Sequence, residues 1–366
     1  MSEIRILHIV PNMQAGGLET FIMNVYRNID KSKVQFDFLV HYKKRCFYDD
    51  EIEKLGGKIH RFSLREDNKV LKYIKQLDDF FKTHKEYKIV HCHMSSISFL
   101  VFWVAKKNGV KIRIAHSHNS NTENTFKGFV KKILIQPCKY LSTDNYACSK
   151  SAGKFLFGSK SFTVIPNGID IEKFKYNEKI RNEMREKLNI KDKFVLGHVG
   201  RFCEQKNHDF LINVFYEVQK YEPNSILLLI GTGELEDKIK KKVQDLKIKE
   251  KVLFLENRQD VNKLYSAMDC FTFPSKFEGL GIVLVEAQVS GLNIITSTKV
   301  PDEVMISKGI QRLKLDVNMW KEEILKLKNL KRTYQKINEK ILEYDIKAVA
   351  SKLQEEYEKY YQKEIK

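Results

Sequence analysis

Apolar positions along the chain gather into short runs rich in β-branched and aromatic residues, separated by longer stretches in which they recur at helical spacing. The runs in the first half are Arg5–Val10, Gln35–His41, Lys58–Ser63, Ile89–Met94, Lys111–His116, Asn145–Cys148 and Phe162–Ile165, and helical stretches such as Leu18–Asn28 and Val70–Lys82 lie between them. Short strands alternating with helices predict a parallel sheet covered on both faces. The rhythm pauses at V-I-P-N-G-I-D, Val164–Asp170, where Pro166 removes a ladder donor and Gly168 permits a tight turn. It then restarts with Phe194–Val199, Ile226–Ile230, Val252–Leu255, Cys270–Phe273 and Leu292–Ser297. The expected architecture is α/β: two Rossmann-like, doubly wound domains over 1–165 and 166–345, facing across a cleft. A charged amphipathic helix follows over 346–366.

Composition narrows the class. The 366 residues are 42% hydrophobic and 31% charged, enough for two globular cores and without the bias of a disordered chain. The N-terminal run M-S-E-I-R-I-L-H-I-V carries an early acid and a short strand pattern, so no secretory leader is read there. The longest apolar run, Phe99–Ala105, is far below the roughly 20 residues of a membrane-spanning helix. Six cysteines without a C-x-x-C pair fit reduced thiols better than a disulfide frame or a zinc knuckle. The expectation is a cytoplasmic protein. Net charge is +18, with 28 basic against 15 acidic residues in 1–163 contributing +13 of it. Such an excess attracts anionic surfaces, but no zinc finger, RNP-type aromatic motif or basic zipper accompanies it, so nucleic acid is not expected as a partner. An anionic bilayer suits the excess better.

Three segments carry candidate chemistry. Pro11–Thr20, P-N-M-Q-A-G-G-L-E-T, follows the first strand and opens a helix. Gly16 and Gly17 let backbone amides approach an anion at that helix start, in a pattern that is not the G-x-G-x-x-G of dinucleotide folds. In the second domain, G-H-V-G-R-F-C-E-Q-K-N-H-D, Gly197–Asp209, places Arg201 and Lys206 between a strand end and a helix, a pairing suited to a diphosphate. The third segment, P-S-K-F-E-G-L-G-I-V-L-V-E-A-Q-V-S-G, Pro274–Gly291, sets Glu278 in a glycine-containing loop and Glu286 within the apolar stretch that follows. Eight residues at about 1.5 Å each separate them by at most about 12 Å if helical throughout, too far for a retaining glycosidase pair at about 5–5.5 Å. That distance suits two ends of one long ligand. An acid on an apolar helix also needs a hydrogen-bond partner, which a sugar hydroxyl would supply.

Taken together, F-E-G-L-G…E-A, the upstream G-R…K, the connector I-P-N-G-I-D and the N-terminal G-G resemble the retaining GT-B glycosyltransferases. The chain is most similar to family 4, as found in bacterial capsule and exopolysaccharide gene clusters, over nearly its whole length. The resemblance implies transfer of a hexosyl unit from a nucleoside diphosphate sugar to a hydroxyl of a lipid-linked glycan acceptor. It implies that Arg201 and Lys206 hold the diphosphate, that Glu286 binds the ribose hydroxyls and that Glu278 contacts the transferred hexose. The Leu280 and Gly281 amides would lie near hexose and phosphates, Gly17 near the phosphates, and Asn257 and Arg258 in the nucleobase loop. The C-terminal helix would return to the first domain.

One departure concerns the His-Asp pair of many relatives, where this chain reads A-H-S-H-N. His118, followed by Asn119, aligns with that pair and is the candidate for touching sugar hydroxyls, with His116 as its rival. His91/His93 and His116/His118 have the spacing of metal pairs, yet no D-x-D occurs in the chain, and two cations with helix starts could neutralise the leaving diphosphate. Neither metal nor other cofactor is expected. The segment 126–141 mixes aromatics and aliphatics with Lys127, Lys131, Lys132 and Lys139 and could rest on the inner face of the plasma membrane, the other reading being a helix that covers the sheet. Two other readings of the chain stay open: a nucleotide-sugar epimerase or hydrolase on the same fold, and a basic membrane- or nucleic-acid-binding protein.

Overall fold

The computed structural model describes residues 3–62, 69–120, 133–256, 258, 260–328, 330, 332 and 338–365. The chain divides into two compact units, Met1–Ile169 with Glu343–Lys366, and Asp170–Leu342. The connector residues 166–169 and the returning residues 343–345 thus belong to the first unit.

The first unit is built on seven parallel strands: β1 Ile4–Ile9, β2 Val34–Val40, β3 Ile59–Arg61, β4 Ile89–Cys92, β5 Ile112–Ser117, β6 Asp144–Ala147 and β7 Thr163–Val164. They lie in the order β3-β2-β1-β4-β5-β6-β7. Right-handed crossovers through helices produce such an order when both faces of the sheet are covered, and all seven residues of β2 are buried, Asp37 among them as the partner of Arg5. The helix Gly17–Asn28 buries Phe21, Ile22, Met23, Val25 and Tyr26 in this core. The C-terminal helix Ile346–Ile365 adds Val349, Leu353 and Tyr357, each at most 4% exposed. At about 1.5–3 kcal/mol per buried large apolar side chain, that stripe accounts for the docking of an otherwise charged helix. Just before it, Ile169 and Asp345 form an isolated parallel bridge: the Ile169 N–H donates to Tyr344 O at 2.8 Å, and the Ile346 N–H to Ile169 O at 2.9 Å.

The second unit has six parallel strands: β8 Phe194–Val199, β9 Ser225–Ile230, β10 Val252–Leu255, β11 Cys270–Phe273, β12 Asn293–Ser297 and β13 Ile310–Leu313, in the order β10-β9-β8-β11-β12-β13. Its core gathers Phe202, Leu211, Phe215, Leu227, Leu229 and Trp320. β13 was not expected from the sequence: I-Q-R-L lies on a sheet edge, pairs only with β12 and lacks an apolar run. The stretch from Glu278 to Glu286 is not helical throughout, because the helix begins only at Ile282.

In both sheets the winding reverses once, between β1 and β4 and between β8 and β11. The carboxyl ends of such neighbouring strands are the usual place for a ligand in a doubly wound sheet. The candidate segments identified above leave β1, β8 and β11.

Candidate active site

In the second unit, two loops at the β8/β11 reversal are stitched together. The loop after β8 runs from Gly200 to Asn207, where Asn207 takes a left-handed φ of 59° and the helix His208–Tyr221 begins. Gln205 donates its amide to Phe277 O at 2.9 Å and accepts the Lys276 N–H at 2.8 Å, while Asn207 reaches Pro274 O at 3.3 Å. These bonds bring Lys206 to Glu278: Nζ meets Oε1 at 2.7 Å, with side chains 17% and 7% exposed. The ammonium also lies 4.7 Å from the centre of the Phe273 ring. His198 and His208 line the same region. Burial drives their pKa down to about 4 and about 2, with Lys206 adding to the effect, so both rings are neutral.

A second close approach shapes the β8 loop. A Cβ on Gly231, at φ +135°, would stand 2.4 Å from the Gly200 carbonyl oxygen, so the turn after β9 must present glycine to the turn after β8. Arg201 emerges between them with a side chain 71% exposed, and its guanidinium meets Glu234 at 3.0 Å. It takes no part in the Lys206–Glu278 contact and stands at the open rim.

Beyond Glu278, Leu280 is buried and Gly281 caps the helix Ile282–Val289 at φ +83°, which only glycine adopts without strain. Within that helix Glu286 is mostly buried and receives the Tyr265 hydroxyl on Oε2 at 2.7 Å. Burial nevertheless lifts its carboxyl from 4.5 to about 7, the tyrosine opposing the rise. The partner that an acid on an apolar helix requires is therefore supplied by the protein. Arg258 grips Asp260 through two bonds of 2.6 Å. Asn257 lies outside the described residues.

In the first unit, Gly16 precedes the helix Gly17–Asn28 in extended backbone, and a Cβ on Gly17 would meet nothing within 4 Å. Packing does not require glycine at 17. His118 is partly exposed, but both ring nitrogens turn inward: Nε2 meets His93 Nδ1 at 2.9 Å, and Nδ1 is buried without a hydrogen-bond partner. His116 is fully enclosed and bonded to His91 at 3.1 Å. Two imidazole triples, His8, His91 and His93, and His93, His116 and His118, have ring nitrogens within 4.8 Å of one another, close enough for a metal ion. Of the segment 126–141, residues 126–132 lie outside the described residues. The remainder includes a four-residue helix, Cys138–Leu141, with Ile133, Leu134 and Tyr140 exposed. No helix among the described residues is long and apolar enough to cross a membrane.

The family of glycosyl transferases group 1 matches residues 180–343, and Glycosyltransferase Family 4 matches residues 15–173. The "Putative glycosyltransferase EpsF" of Bacillus subtilis is 34% identical over 335 residues, 88% of this chain and 87% of its own. The chain belongs to glycosyltransferase family 4. This family 4 enzyme is also 26% identical to the UDP-Gal:alpha-D-GlcNAc-diphosphoundecaprenol alpha-1,3-galactosyltransferase of Escherichia coli, over 87% of the chain and 85% of that protein. Its fold is GT-B. The crystal structure of Anabaena HepE in complex with UDP-glucose superposes with a TM-score of 0.76 at 16% identity, covering 98% and 99% of the two chains.

Two features of the glycosyltransferase escaped sequence reasoning. Tyr265, the partner of Glu286, lies 21 positions away on the separate helix Val261–Ala267, with nothing in V-N-K-L-Y-S-A to single it out. The other is the buried histidine array of the first unit. Its spacing was visible as His-x-His twice, but His8 on β1 was not linked to it.

Proposed function

We propose that this glycosyltransferase moves a hexosyl unit from a uridine diphosphate sugar, with retention of anomeric configuration, to a hydroxyl of a glycan carried on a polyprenyl diphosphate in surface polysaccharide synthesis. The observation that carries this reading is the Lys206–Glu278 pair at the strand reversal of the second sheet, with Glu286 on the helix that follows. Uridine and the lipid carrier are suggested by the substrates in the name of the Escherichia coli relative.

In this reading Lys206 leaves Glu278 for the donor diphosphate, and Arg201 turns from Glu234 to join it. Charge grows on the diphosphate as the anomeric bond breaks, and the two cations stabilise it there. Glu278, released, accepts hydroxyls of the hexose, and Glu286 accepts those of the ribose. The Leu280 and Gly281 amides approach the hexose and phosphates, and the loop at 257–258 holds the base. The Gly16 and Gly17 amides add to the phosphate contacts, and His118 serves the sugar. The acceptor oxygen bonds to the anomeric carbon on the face the diphosphate leaves, and its proton passes to a departing phosphate oxygen. No divalent ion is required. The bilayer is met through 126–141, where Ile133, Leu134 and Tyr140 are exposed.

The test is incubation with UDP-glucose, UDP-galactose and their N-acetyl forms, with and without an undecaprenyl-diphosphate-linked saccharide. Acceptor-dependent release of UDP and an α-linked product is expected from at least one donor. Glu278→Gln should lower turnover by orders of magnitude with modest loss of donor binding, whereas Arg201→Ala should weaken binding as well. Conversion of the donor without acceptor would make the chain an epimerase or hydrolase instead.

A further inference from the structure

Five histidines meet in the core of the first unit. His8 lies on β1, His91 and His93 at the end of β4, and His116 and His118 at the end of β5. Two-residue spacing puts each pair on one face of its strand. The rings of His91 and His93 are 4.3 Å apart, and those of His116 and His118 are 4.1 Å apart. Hydrogen bonds run through the array in two lines. One joins His8 Nδ1 to His93 Nε2 and His93 Nδ1 to His118 Nε2, each at 2.9 Å. The other joins the Tyr357 hydroxyl to His91 Nδ1 at 2.6 Å and His91 Nε2 to His116 Nδ1 at 3.1 Å.

Burial keeps the five rings neutral. His8 and His118 fall to about 3, and His91, His93 and His116 drop well below the ordinary value, their neighbours adding to the effect. A neutral imidazole carries a single N–H, so a ring bonded at both nitrogens donates at one and accepts at the other. His93 is such a ring. The first line therefore runs in one of two senses, and the senses differ at its ends. If His8 donates, His8 Nε2 is left as a bare acceptor and His118 carries its proton on Nδ1. If His118 donates, His8 Nε2 carries a proton and His118 Nδ1 is bare.

Both ends favour the first sense. His8 packs against Phe36 and Phe38, with ring centres at 4.1 and 5.7 Å, and its Nε2 is buried without a partner. An orphaned acceptor is less unfavourable there than an orphaned N–H. At the other end Asn167 Oδ1 is buried without a formed hydrogen bond, as is His118 Nδ1. Asn167 opposes the fall in the His118 pKa, as a carbonyl oxygen facing an N–H does.

We propose that His93 is a positioning residue which, through the one-way line His8 to His93 to His118, holds His118 as the Nδ1–H tautomer with that proton directed at the Asn167 carboxamide oxygen. His118 then has no free lone pair and its one N–H is committed to Asn167, so it meets the sugar through its ring edge and never acts as a general base. The functional part rests on His118 lying at the sugar; the tautomer does not.

The test uses the full chain labelled with 15N-histidine, whose ten imidazoles are read by two-bond proton–nitrogen correlation. His118 is assigned by the signal lost in His118→Gln. In the wild type His118 should be neutral and protonated on Nδ1 from pH 6 to 8. His93→Leu should transfer the proton to Nε2, the form favoured in free histidine, whereas His93→Asn should keep it on Nδ1, because its side-chain nitrogen replaces the Nδ1 donor. An unchanged backbone spectrum verifies that each variant folds. A wild-type Nε2–H, an imidazolium, or an Nδ1–H that survives His93→Leu would overturn the proposal. So would ring nitrogens bound by zinc at one equivalent and released by EDTA, since the acceptor lone pairs would then be metal ligands. With a donor identified as above, His93→Leu should lower kcat at least about tenfold while leaving the donor KM within about twofold. His93→Asn should restore most of kcat, and equal losses in the two variants would overturn the positioning role. If no donor is turned over, the spectra still decide the tautomer.

Discussion

Glu286 is held in a state that opposes stability, and this makes Glu286→Gln informative. Its carboxyl titrates at about 7 in the folded protein against 4.5 as the ordinary value. A group whose pKa is raised by folding binds its proton more tightly in the native state. Its favourable contribution is therefore complete below about pH 4.5 and is lost as pH rises to about 7. At about 1.36 kcal/mol per pH unit the full loss would be about 3.4 kcal/mol, and the partial exposure of the side chain reduces this to about 1–2 kcal/mol. Glutamine keeps the shape and still accepts from Tyr265, but has no charge to bury. Above pH 8 Glu286→Gln should melt about 2–8 °C higher than the wild type, at about 2–4 °C per kcal/mol for a unit of this size. Near pH 4.5 the two should melt together. Scanning calorimetry at both pH values, with UDP titrated into each protein, provides the measurement. UDP should bind the variant about tenfold more weakly, since a carboxylate is the stronger acceptor for ribose hydroxyls. Equal melting temperatures at pH 8 would refute the argument from burial, and unchanged UDP affinity would remove the ribose contact.

Other substitutions separate packing from ligand contact. Lys206→Ala leaves the Glu278 carboxylate enclosed without its cation and should destabilise the second unit by about 2–4 kcal/mol; Lys206→Ala with Glu278→Gln should regain most of that in urea denaturation while remaining inactive. Gly281→Ala forces a side chain to φ +83° and should lower stability by about 1–2 kcal/mol, seen in the same assay. Gly17→Ala meets nothing within 4 Å, so its melting temperature should equal the wild type, whereas donor-dependent turnover should fall at least about tenfold if a phosphate approaches that amide. Arg201→Ala, at an exposed rim, should likewise leave the melting temperature unchanged and weaken donor affinity.

The sequence was most legible where burial is two-sided. β8 and β11 run between the residues expected, because a strand enclosed on both faces is a nearly continuous apolar run; β10, a partly buried edge strand, was found because V-L-F-L is apolar throughout. β13 was missed for the converse reason: an edge strand needs only a partner, and I-Q-R-L offers one face of a pattern. At the site, spacing identified the loops but not the side-chain pairings. Lys206 and Glu278 are 72 positions apart and meet only because β8 and β11 are neighbours in the sheet. Arg201 and Lys206 were read as one anion clamp, yet one stands exposed against Glu234 and the other is enclosed against Glu278, since residue type does not set side-chain direction. The inward turn of His118 Nε2 depends on His93, at the end of the neighbouring strand, which no local pattern around A-H-S-H-N encodes.

The bridge between Ile169 and Asp345 makes the departing and returning chains neighbours. Residues 170–342 are thus spliced into a continuous host whose last helix is supplied by residues far along the sequence. Synthesis from the N-terminus leaves the apolar bed for Val349, Leu353 and Tyr357 exposed until the helix Ile346–Ile365 has been made. The first sheet is complete early yet remains uncovered, and a chain truncated before Ile346 would present that bare strip to chaperones or to other copies of itself.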